Sequence, residues 1–321
     1  MSKLRAWAQM VRVPNTLTSC ADVLAGMCIA GGISNHFMKH PGAAIVASAA
    51  SICFYWAGMV LNDVFDVEQD REQGRPNPIA NGKITITVAL RSGIGLMVVG
   101  ILLSFLAPLT IALGGSKDFG LAMLSPGLVG CLLAVAVYAY DGPLKKSPSA
   151  PLIMGICRGL NMSLGVAWIA AVLPVTLGWP AVAVVAGHVA YVTGLTIAAR
   201  READLSQSRG RLTLGWGICA FGAACIAFSP RLEMDRPYRL DPEWVFPLLV
   251  AILLLPLARR AVDAIRTLRP QQLGMAIRQA IFSILFLDAT SALQYSEDIP
   301  GIIIASMVVP TLLLARWFRA T

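Results

Sequence analysis

The stretch Asn62–Asp70, which reads Asn-Asp-Val-Phe-Asp-Val-Glu-Gln-Asp, closes a long apolar segment of this 321-residue chain. Charged groups so close to lipid cost free energy and usually serve a function. On a helix that turns about 100° per residue, the asparagine and the three aspartates point to one face: Asn62, Asp63, Asp66 and Asp70. Magnesium binds such oxygen ligands and completes its coordination with water and substrate phosphates. The stretch therefore predicts a metal-bridged diphosphate pocket at a membrane boundary. The alternative is a helix end that acids merely cap and solvate, which needs no common face.

The composition of the whole chain indicates a membrane protein. Hydrophobic residues make up 56% of it, charged residues only 14%, and the mean hydropathy is +0.68, all outside the usual range of soluble domains. Apolar runs long enough to cross a bilayer are predicted at about 15–34, 41–61, 86–112, 120–140, 151–173, 180–199, 212–229, 244–258, 276–294 and 299–318.

These runs predict an all-α, multi-span transmembrane bundle of nine to ten helices. The ninth run is the weakest because Arg278, Asp288 and Gln294 interrupt it, so nine spans with one re-entrant or surface helix is the alternative to ten. No long or low-complexity loop divides the chain, which we therefore expect to form a single domain, 1–321. The first 14 residues lack an apolar region ahead of a small-residue cleavage site, so no cleavable signal peptide is expected.

The loop charges predict how the bundle is oriented. With ten spans, the termini and the loops on their side hold 20 Lys and Arg residues, and the opposite loops hold five. Lys and Arg are retained on the cytoplasmic side, so both termini and the acidic stretch are expected there. The net charge of +8 then reflects topology and attraction to the lipid bilayer. No basic motif with interleaved aromatic residues indicates a nucleic-acid partner.

Cysteine and histidine do not indicate a zinc site. All seven cysteines fall in apolar segments without a C-x-x-C pair, and the three histidines show no ligand spacing to each other or to a cysteine. Buried cysteines of this kind behave as small hydrophobic residues, and zinc sites need closely spaced ligands. Zinc chemistry is therefore excluded from the functions considered.

Three loops on the predicted cytoplasmic side each combine acidic and basic residues. They follow the second, fourth and sixth segments and span 71–84, 140–146 and 200–204. In the first loop, Arg75 and Lys83 can neutralise phosphate oxygens. The second contains Asp141 and Lys145, and the third begins with two arginines.

The chain resembles the UbiA superfamily of intramembrane prenyltransferases. The family's first signature matches at Asn62, Asp66, Asp70, Arg75 and the passage 78–84, and the number and order of spans also fit. The resemblance implies a helical bundle around a central cavity open toward the cytoplasm, where Mg²⁺ binds a prenyl diphosphate. It also implies ionisation of that diphosphate and attack by an aromatic or other lipophilic acceptor.

The candidate site residues follow from the acidic helix and this resemblance together. Asp66 and Asp70 are the first candidates for metal ligands and catalysis, with Asn62 and Asp63 next. Substrate-binding candidates come from the three loops and from one apolar segment: Arg75, Lys83, Asp141, Lys145, Arg158, Asn161 and Glu202. Arg200 and Asp204 are the further catalytic candidates, from the passage that aligns with the family's second motif.

Two departures from the family pattern bear on the metal. The second motif, usually D-x-x-x-D, reads Arg-Arg-Glu-Ala-Asp over 200–204, so Arg200 replaces its first aspartate. Either Glu202 substitutes in a shifted register, or Arg200 supplies the positive charge of a second magnesium. Asn77 stands where the family usually has an arginine. With its passage 154–161, the chain resembles most the EboC-like offshoot of the family, and that resemblance carries no substrate with it.

Arg158 lies inside an apolar segment, where an unpaired guanidinium would be costly. It either faces the cavity or pairs with a carboxylate such as Asp141, and Asn161 is expected to share its site.

Besides a magnesium-dependent prenyltransferase, two other functions are considered. A catalytically weakened isoprenoid-binding scaffold is motivated by Arg200 and Asn77, and a small-molecule transporter would show repeats and broken helices, which the sequence lacks.

Overall fold

The computed structural model describes residues 3–31, 41–74, 77–106, 121–172, 178–200, 208–233 and 239–319. Every regular element in these ranges is an α-helix or a short 3₁₀ turn. In lipid, a helix satisfies its backbone hydrogen bonds internally, which explains this architecture for so apolar a chain. The predicted all-α class is confirmed.

The α-helices are α1 (Lys3–Met10), α2 (Thr16–Gly31), α3 (Pro41–Phe65), α4 (Val67–Glu72), α5 (Ile86–Leu106), α6 (Ser125–Asp141), α7 (Ala150–Val172), α8 (Trp179–Ala199), α9 (Arg209–Phe228), α10 (Val245–Thr267), α11 (Pro270–Tyr295), α12 (Asp298–Ser306) and α13 (Val308–Arg319).

Nine helical segments in the described ranges are long and apolar enough to cross a membrane. The remaining predicted segment, 120–140, corresponds to α6, an apolar helix of 17 residues. At 1.5 Å per residue it is about 25 Å long, slightly short of the roughly 30 Å of bilayer hydrocarbon. The prediction of nine to ten spans is confirmed, and the helix that decides between the two numbers is α6.

The ninth segment, expected to be the weakest, is α11, which has 26 residues and satisfies the length and hydropathy of a membrane span. That expectation was wrong for a physical reason. Asp288 and Gln294 are buried inside the bundle, so polar atoms that would be costly against lipid contact other helices instead.

Two glycines bring α2 and α7 unusually close. A Cβ atom on Gly26 would lie 2.2 Å from the Met162 carbonyl oxygen, and one on Gly165 would lie 2.0 Å from the Val23 carbonyl oxygen. Neither distance is compatible with any side chain, so both positions require glycine for this packing. The close approach places the buried polar residues of α2 and α7 opposite one another.

The acidic stretch lies where α3 meets α4, and we call this end of the bundle the motif end. Helix α1 packs there, with Met10 in an apolar cluster with Val60 and Val64 of α3 and with Ile79 of the following turn. The turn reverses through Gly82, whose φ of +70° favours glycine. A central cavity and the single-domain organisation stay predictions.

Candidate active site

Lys145 bridges two residues of the acidic stretch. Its Nζ atom donates hydrogen bonds to Asn62 Oδ1 at 2.7 Å and to Asp66 Oδ2 at 2.5 Å. Lys145 follows α6 and reaches across to the end of α3, and the side chains of Lys145 and Asp66 are 24% and 21% exposed. The structure therefore joins the second predicted loop to the acidic stretch at one charged contact.

The oxygen atoms of this contact are of the kind that magnesium binds. The Lys145 ammonium group is a cation, and the two oxygens of Asn62 and Asp66 converge on it. Oxygen atoms that converge on one cation from an asparagine and an aspartate are suitable ligands for a hard divalent ion. In the described ranges, no group of three or more His, Cys, Asp and Glu residues is close enough to hold a metal by itself, so water and substrate oxygens would have to complete the coordination.

Asp70 has a different partner. Its carboxylate is buried, and Oδ2 accepts a 2.7 Å hydrogen bond from Nδ2 of Asn77. The same amide nitrogen donates to the Asp63 carbonyl oxygen at 3.2 Å, and Asn77 Oδ1 accepts from the Ile79 N–H at 2.8 Å. Asn77 thus ties the acidic helix to the turn that follows it.

The backbone explains how the stretch presents two contacts on one helical path. Asp66 N donates to Asn62 O at 3.0 Å and Asp70 N donates to Asp66 O at 2.8 Å, so the helical bonding continues across the junction of α3 and α4. Asp63 lies within electrostatic reach of Asp66 and Asp70. The four side chains share this end of the bundle, but Asp66 faces Lys145 and Asp70 faces Asn77.

Arg200 lies beside the same loop as Lys145. Its Nη2 atom donates to the carbonyl oxygens of Lys146 at 3.2 Å and Ser147 at 3.0 Å, and it follows the last residue of α8. Asp141, the last residue of α6, is buried within electrostatic reach of Lys145 and Asp66. The structure therefore gathers Asp141, Lys145 and Arg200 at the motif end.

The remaining loop candidates are Lys83, Arg75, Glu202 and Asp204. Lys83 is exposed in the turn that Gly82 closes. Arg75, Glu202 and Asp204 lie outside the described residues, so the predictions for these three positions stay predictions.

Arg158 pairs with Asp22 and Asp288 and not with Asp141, the partner suggested by the sequence. Its Nη2 atom lies 2.7 Å from Asp22 Oδ1 and 3.8 Å from Asp288 Oδ2. The correction follows from the close approach of α2 and α7, which places Asp22 opposite Arg158. Asn161 shares this site, because its Nδ2 atom donates to Asp22 Oδ2 at 2.8 Å.

A fully buried polar cluster extends from this pair. His188 Nε2 lies 3.1 Å from Asp288 Oδ1, and Ser51 Oγ donates to Asn161 Oδ1 at 2.7 Å. The cluster joins α2, α3, α7, α8 and α11, and Arg158 lies eight residues into α7, about 12 Å along the helix. Breaking such a buried pair leaves an uncompensated charge, so the cluster ties five helices together below the motif end.

Sequence reasoning missed two features of this site. Asn77 was noted only as a departure from the family, and its role as the partner of Asp70 depends on a turn that folds back over the helix. His188 was considered only for zinc spacing, although a histidine and an aspartate in separate apolar segments are a signal for a buried pair.

Comparisons with known proteins agree with the fold. The sequence model of the UbiA prenyltransferase family matches residues 21–272. The chain is 31% identical over 146 residues to a digeranylgeranylglyceryl phosphate synthase of Ignicoccus hospitalis, covering 45% of this chain and 41% of that protein. It is 33% identical over 104 residues to the synthase of the same name from Saccharolobus solfataricus, covering 32% of this chain and 35% of that protein. The matched part thus spans less than half the length of these curated relatives.

Two solved structures share the overall fold. One has a TM-score of 0.63 at 16% identity, and the match covers 92% of this chain and 99% of that chain. Its description is "Structural and mechanistic insights into the biosynthesis of Digeranylgeranylglyceryl phosphate synthase in membranes". The other is a UbiA homologue from Archaeoglobus fulgidus bound to DMAPP and Mg²⁺, with a TM-score of 0.52 at 13% identity, covering 88% and 99%. At these identities the likeness concerns the fold.

Proposed function

We propose that this chain, which belongs to the UbiA prenyltransferase family, transfers a prenyl group from a prenyl diphosphate to a lipophilic acceptor. The observation that carries the proposal is the convergence of Asn62 Oδ1 and Asp66 Oδ2 on the Lys145 ammonium group, at the end of an apolar helical bundle. The names of the curated relatives include a glyceryl phosphate product, and one fold neighbour binds DMAPP and Mg²⁺. The DMAPP-bound neighbour supports a prenyl diphosphate as donor, and the relatives' names support transfer of a prenyl group.

The residues at the motif end have distinct roles in this reaction. Asn62 and Asp66 would hold the ion, with Asp63 and Asp70 close by, and Mg²⁺ bound there would neutralise the charge that develops on the leaving diphosphate. Lys145, whose ammonium group contacts these two oxygens in the structure, would give way to the ion and supply a positive charge to phosphate oxygens. Asn77 keeps the Asp70 carboxylate in place, and Arg200 holds the loop that carries Lys145.

The chemistry needs both the charged end and the apolar walls. The C–O bond of the diphosphate breaks with both electrons passing to the leaving group, and the acceptor donates an electron pair to the allylic cation and loses a proton. Preorganised charges stabilise the departing diphosphate most in a dry site, and helices packed in lipid keep water from the cation. We place this site on the cytoplasmic side, because Lys and Arg residues are concentrated in the loops at that end.

The test is to incubate the purified chain with Mg²⁺ and dimethylallyl, geranyl, farnesyl or geranylgeranyl diphosphate. Diphosphate release is followed with and without a membrane lipid extract as acceptor. We expect release with at least one donor, dependent on Mg²⁺ and accelerated by the extract. No release with any donor would refute the activity.

A catalytically weakened, isoprenoid-binding protein is the second candidate. It is favoured by Arg200, which stands where the family's second motif begins with an aspartate and which donates to backbone carbonyls of the 146–147 loop. A prenyl diphosphate that binds with Mg²⁺ but is never cleaved would favour this candidate.

A further inference from the structure

A cavity of about 330 Å³ lies at the motif end. It opens to the surface and is bordered by α1, the turn between α1 and α2, α11 and α13. The residues that matter for its chemistry are Gln9, Arg12, Asn15, Arg278, Phe282 and Ala315. We call it the two-arginine cavity.

The cavity is lined by two arginines and by no acidic residue. Arg278 donates from Nε to the Gly274 carbonyl oxygen at 3.2 Å, which leaves both of its terminal nitrogens without a hydrogen bond among the described residues. The Arg12 side chain is exposed and forms no hydrogen bond or ion pair with a residue in these ranges. Guanidinium groups bind phosphate through paired N–H donors, so the cavity is electrostatically suited to an anion.

Arg12 connects this cavity to the acidic stretch. It lies within electrostatic reach of Asp63 and Asp141 on the other side. Its backbone is left-handed, with φ 49° and ψ 54°, a conformation that few residues other than glycine adopt and that is held only where the surrounding structure imposes it. A molecule bound at Arg12 would therefore lie next to the proposed cation site.

The rest of the wall indicates an amphipathic ligand. Pro14, Ile281, Phe282 and Ala315 contribute apolar surface, while Gln9 and the arginines contribute polar groups. The volume is at the small end of the range for ligand pockets, about 300–1,000 Å³, so it accommodates a head group rather than a whole lipid. Ala315 belongs to the last helix of an apolar bundle, beyond which a hydrocarbon tail can remain in the bilayer.

We propose that the two-arginine cavity binds the phosphate head group of the lipid acceptor, with Arg12 and Arg278 as its ligands. Gln9 and Asn15 would then contact the hydroxyl-bearing part of the head group. A phosphate is favoured over a neutral head group because two guanidinium groups and no carboxylate line one small volume. This inference rests on the proposed function, since it identifies the class of acceptor for the same site.

Binding is measured without prenyl diphosphate, on the full chain in neutral detergent by native mass spectrometry. The probe is lysophosphatidic acid, and its phosphate-free counterpart, monoacylglycerol, is the reference lipid. Arg278→Met should weaken binding of the phosphate lipid about tenfold or more, because a charge-assisted contact is lost. Arg269→Met, which removes an exposed arginine near the start of the same helix, should leave it unchanged, and monoacylglycerol should bind weakly to all three proteins.

Turnover separates an acceptor from an ordinary phospholipid. Lysophosphatidic acid keeps a free hydroxyl and should gain the mass of a prenyl group, whereas diacyl phosphatidic acid has no such hydroxyl and should not. Arg278→Met should raise the KM for lysophosphatidic acid about tenfold, whereas Arg269→Met should leave it unchanged.

Two results would overturn the inference. One is equal binding of lysophosphatidic acid to wild type and Arg278→Met. The other is a combined result: phosphatidic acid displaces lysophosphatidic acid, and lysophosphatidic acid receives no prenyl group although diphosphate is released. That result would make the cavity a site for bulk lipid. No diphosphate release with any donor would instead refute the proposed function, and the binding measurement would still stand by itself.

Discussion

At the residue scale, the acidic stretch is held by two partners from outside it. Lys145 neutralises Asp66, and Asn77 donates to the buried carboxylate of Asp70. Burying a carboxylate without a partner is costly, so each contact keeps a charged side chain in place next to lipid. The family's usual arginine would add a charge at position 77, whereas the asparagine here adds a neutral donor and an acceptor.

Replacing Asn77 by alanine should destabilise the protein by about 1–3 kcal/mol, the usual cost of leaving a buried polar group without its hydrogen bond. Asn81→Ala is the matched control, because Asn81 is an exposed asparagine in the same turn. Thermal unfolding in detergent measures both. Equal melting temperatures for the two variants would show that the Asn77 contact to Asp70 contributes nothing to stability.

The sequence predicted the chemistry of these residues better than their partners. Because Asn62, Asp66 and Asp70 carry side-chain oxygens at helical spacing, the sequence predicted that they lie together at the end of one helix. The pairing of Asp70 with Asn77 depends on how the 77–84 turn folds back, and the pairing of Arg158 with Asp22 depends on which helices touch. Neither is determined by spacing along the chain.

At the element scale, glycines at closely packed positions decide which helices meet. Gly26 and Gly165 allow α2 and α7 to approach until a backbone carbonyl occupies the space of a side chain. That approach brings Asp22 to Arg158 and Asn161. The helices themselves were predictable from hydropathy, because lipid permits few other structures. The partners of Asp288 could not be predicted, because they lie in helices distant in sequence.

A matched pair of glycine substitutions tests this packing. Gly26→Ala places a Cβ atom 2.2 Å from the Met162 oxygen, and we expect overpacking to destabilise the protein by about 1–3 kcal/mol or more. Gly95→Ala, in the interior of α5 with nothing within 4 Å of the added atom, should be neutral or stabilising by up to about 1 kcal/mol. The two variants are compared by thermal unfolding. A destabilised Gly95→Ala with an unaffected Gly26→Ala would contradict the described contact.

At the scale of the whole molecule, charge asymmetry predicts the orientation. The 20-to-five distribution of Lys and Arg between the two sets of loops places both termini in the cytoplasm if α6 crosses the membrane. A reporter fused after Thr321 should therefore be cytoplasmic. A signal from the opposite side would mean an odd number of spans. The helix that fails to cross would then be α6 first of all, because it is shorter than the nine candidate spans.

The whole bundle also determines what the site can do. The site draws on three separate parts of the chain: the acidic stretch with Asn62 and Asp66, the loop with Lys145, and Arg200. They come together because the ends of α3, α6 and α8 lie together. The buried cluster around Arg158 and Asp288 holds the same helices deeper in the bundle. Charge is thus concentrated at one end of an otherwise apolar body, which is the arrangement that cleavage of a lipid diphosphate requires.

The most direct test of the central claim compares two acidic residues of one motif. Asp66 contacts the Lys145 ammonium group at the proposed site, whereas Glu68 is 78% exposed and, among the described residues, pairs with Arg71. With wild type as reference, Mg²⁺-dependent diphosphate release is measured for Asp66→Asn and Glu68→Gln, after both are shown to fold by thermal unfolding. Asp66→Asn should lower the rate about 100-fold or more, because charge at the leaving group is lost, and Glu68→Gln should retain it. A folded Asp66→Asn variant with the wild-type rate would contradict the assignment of this site.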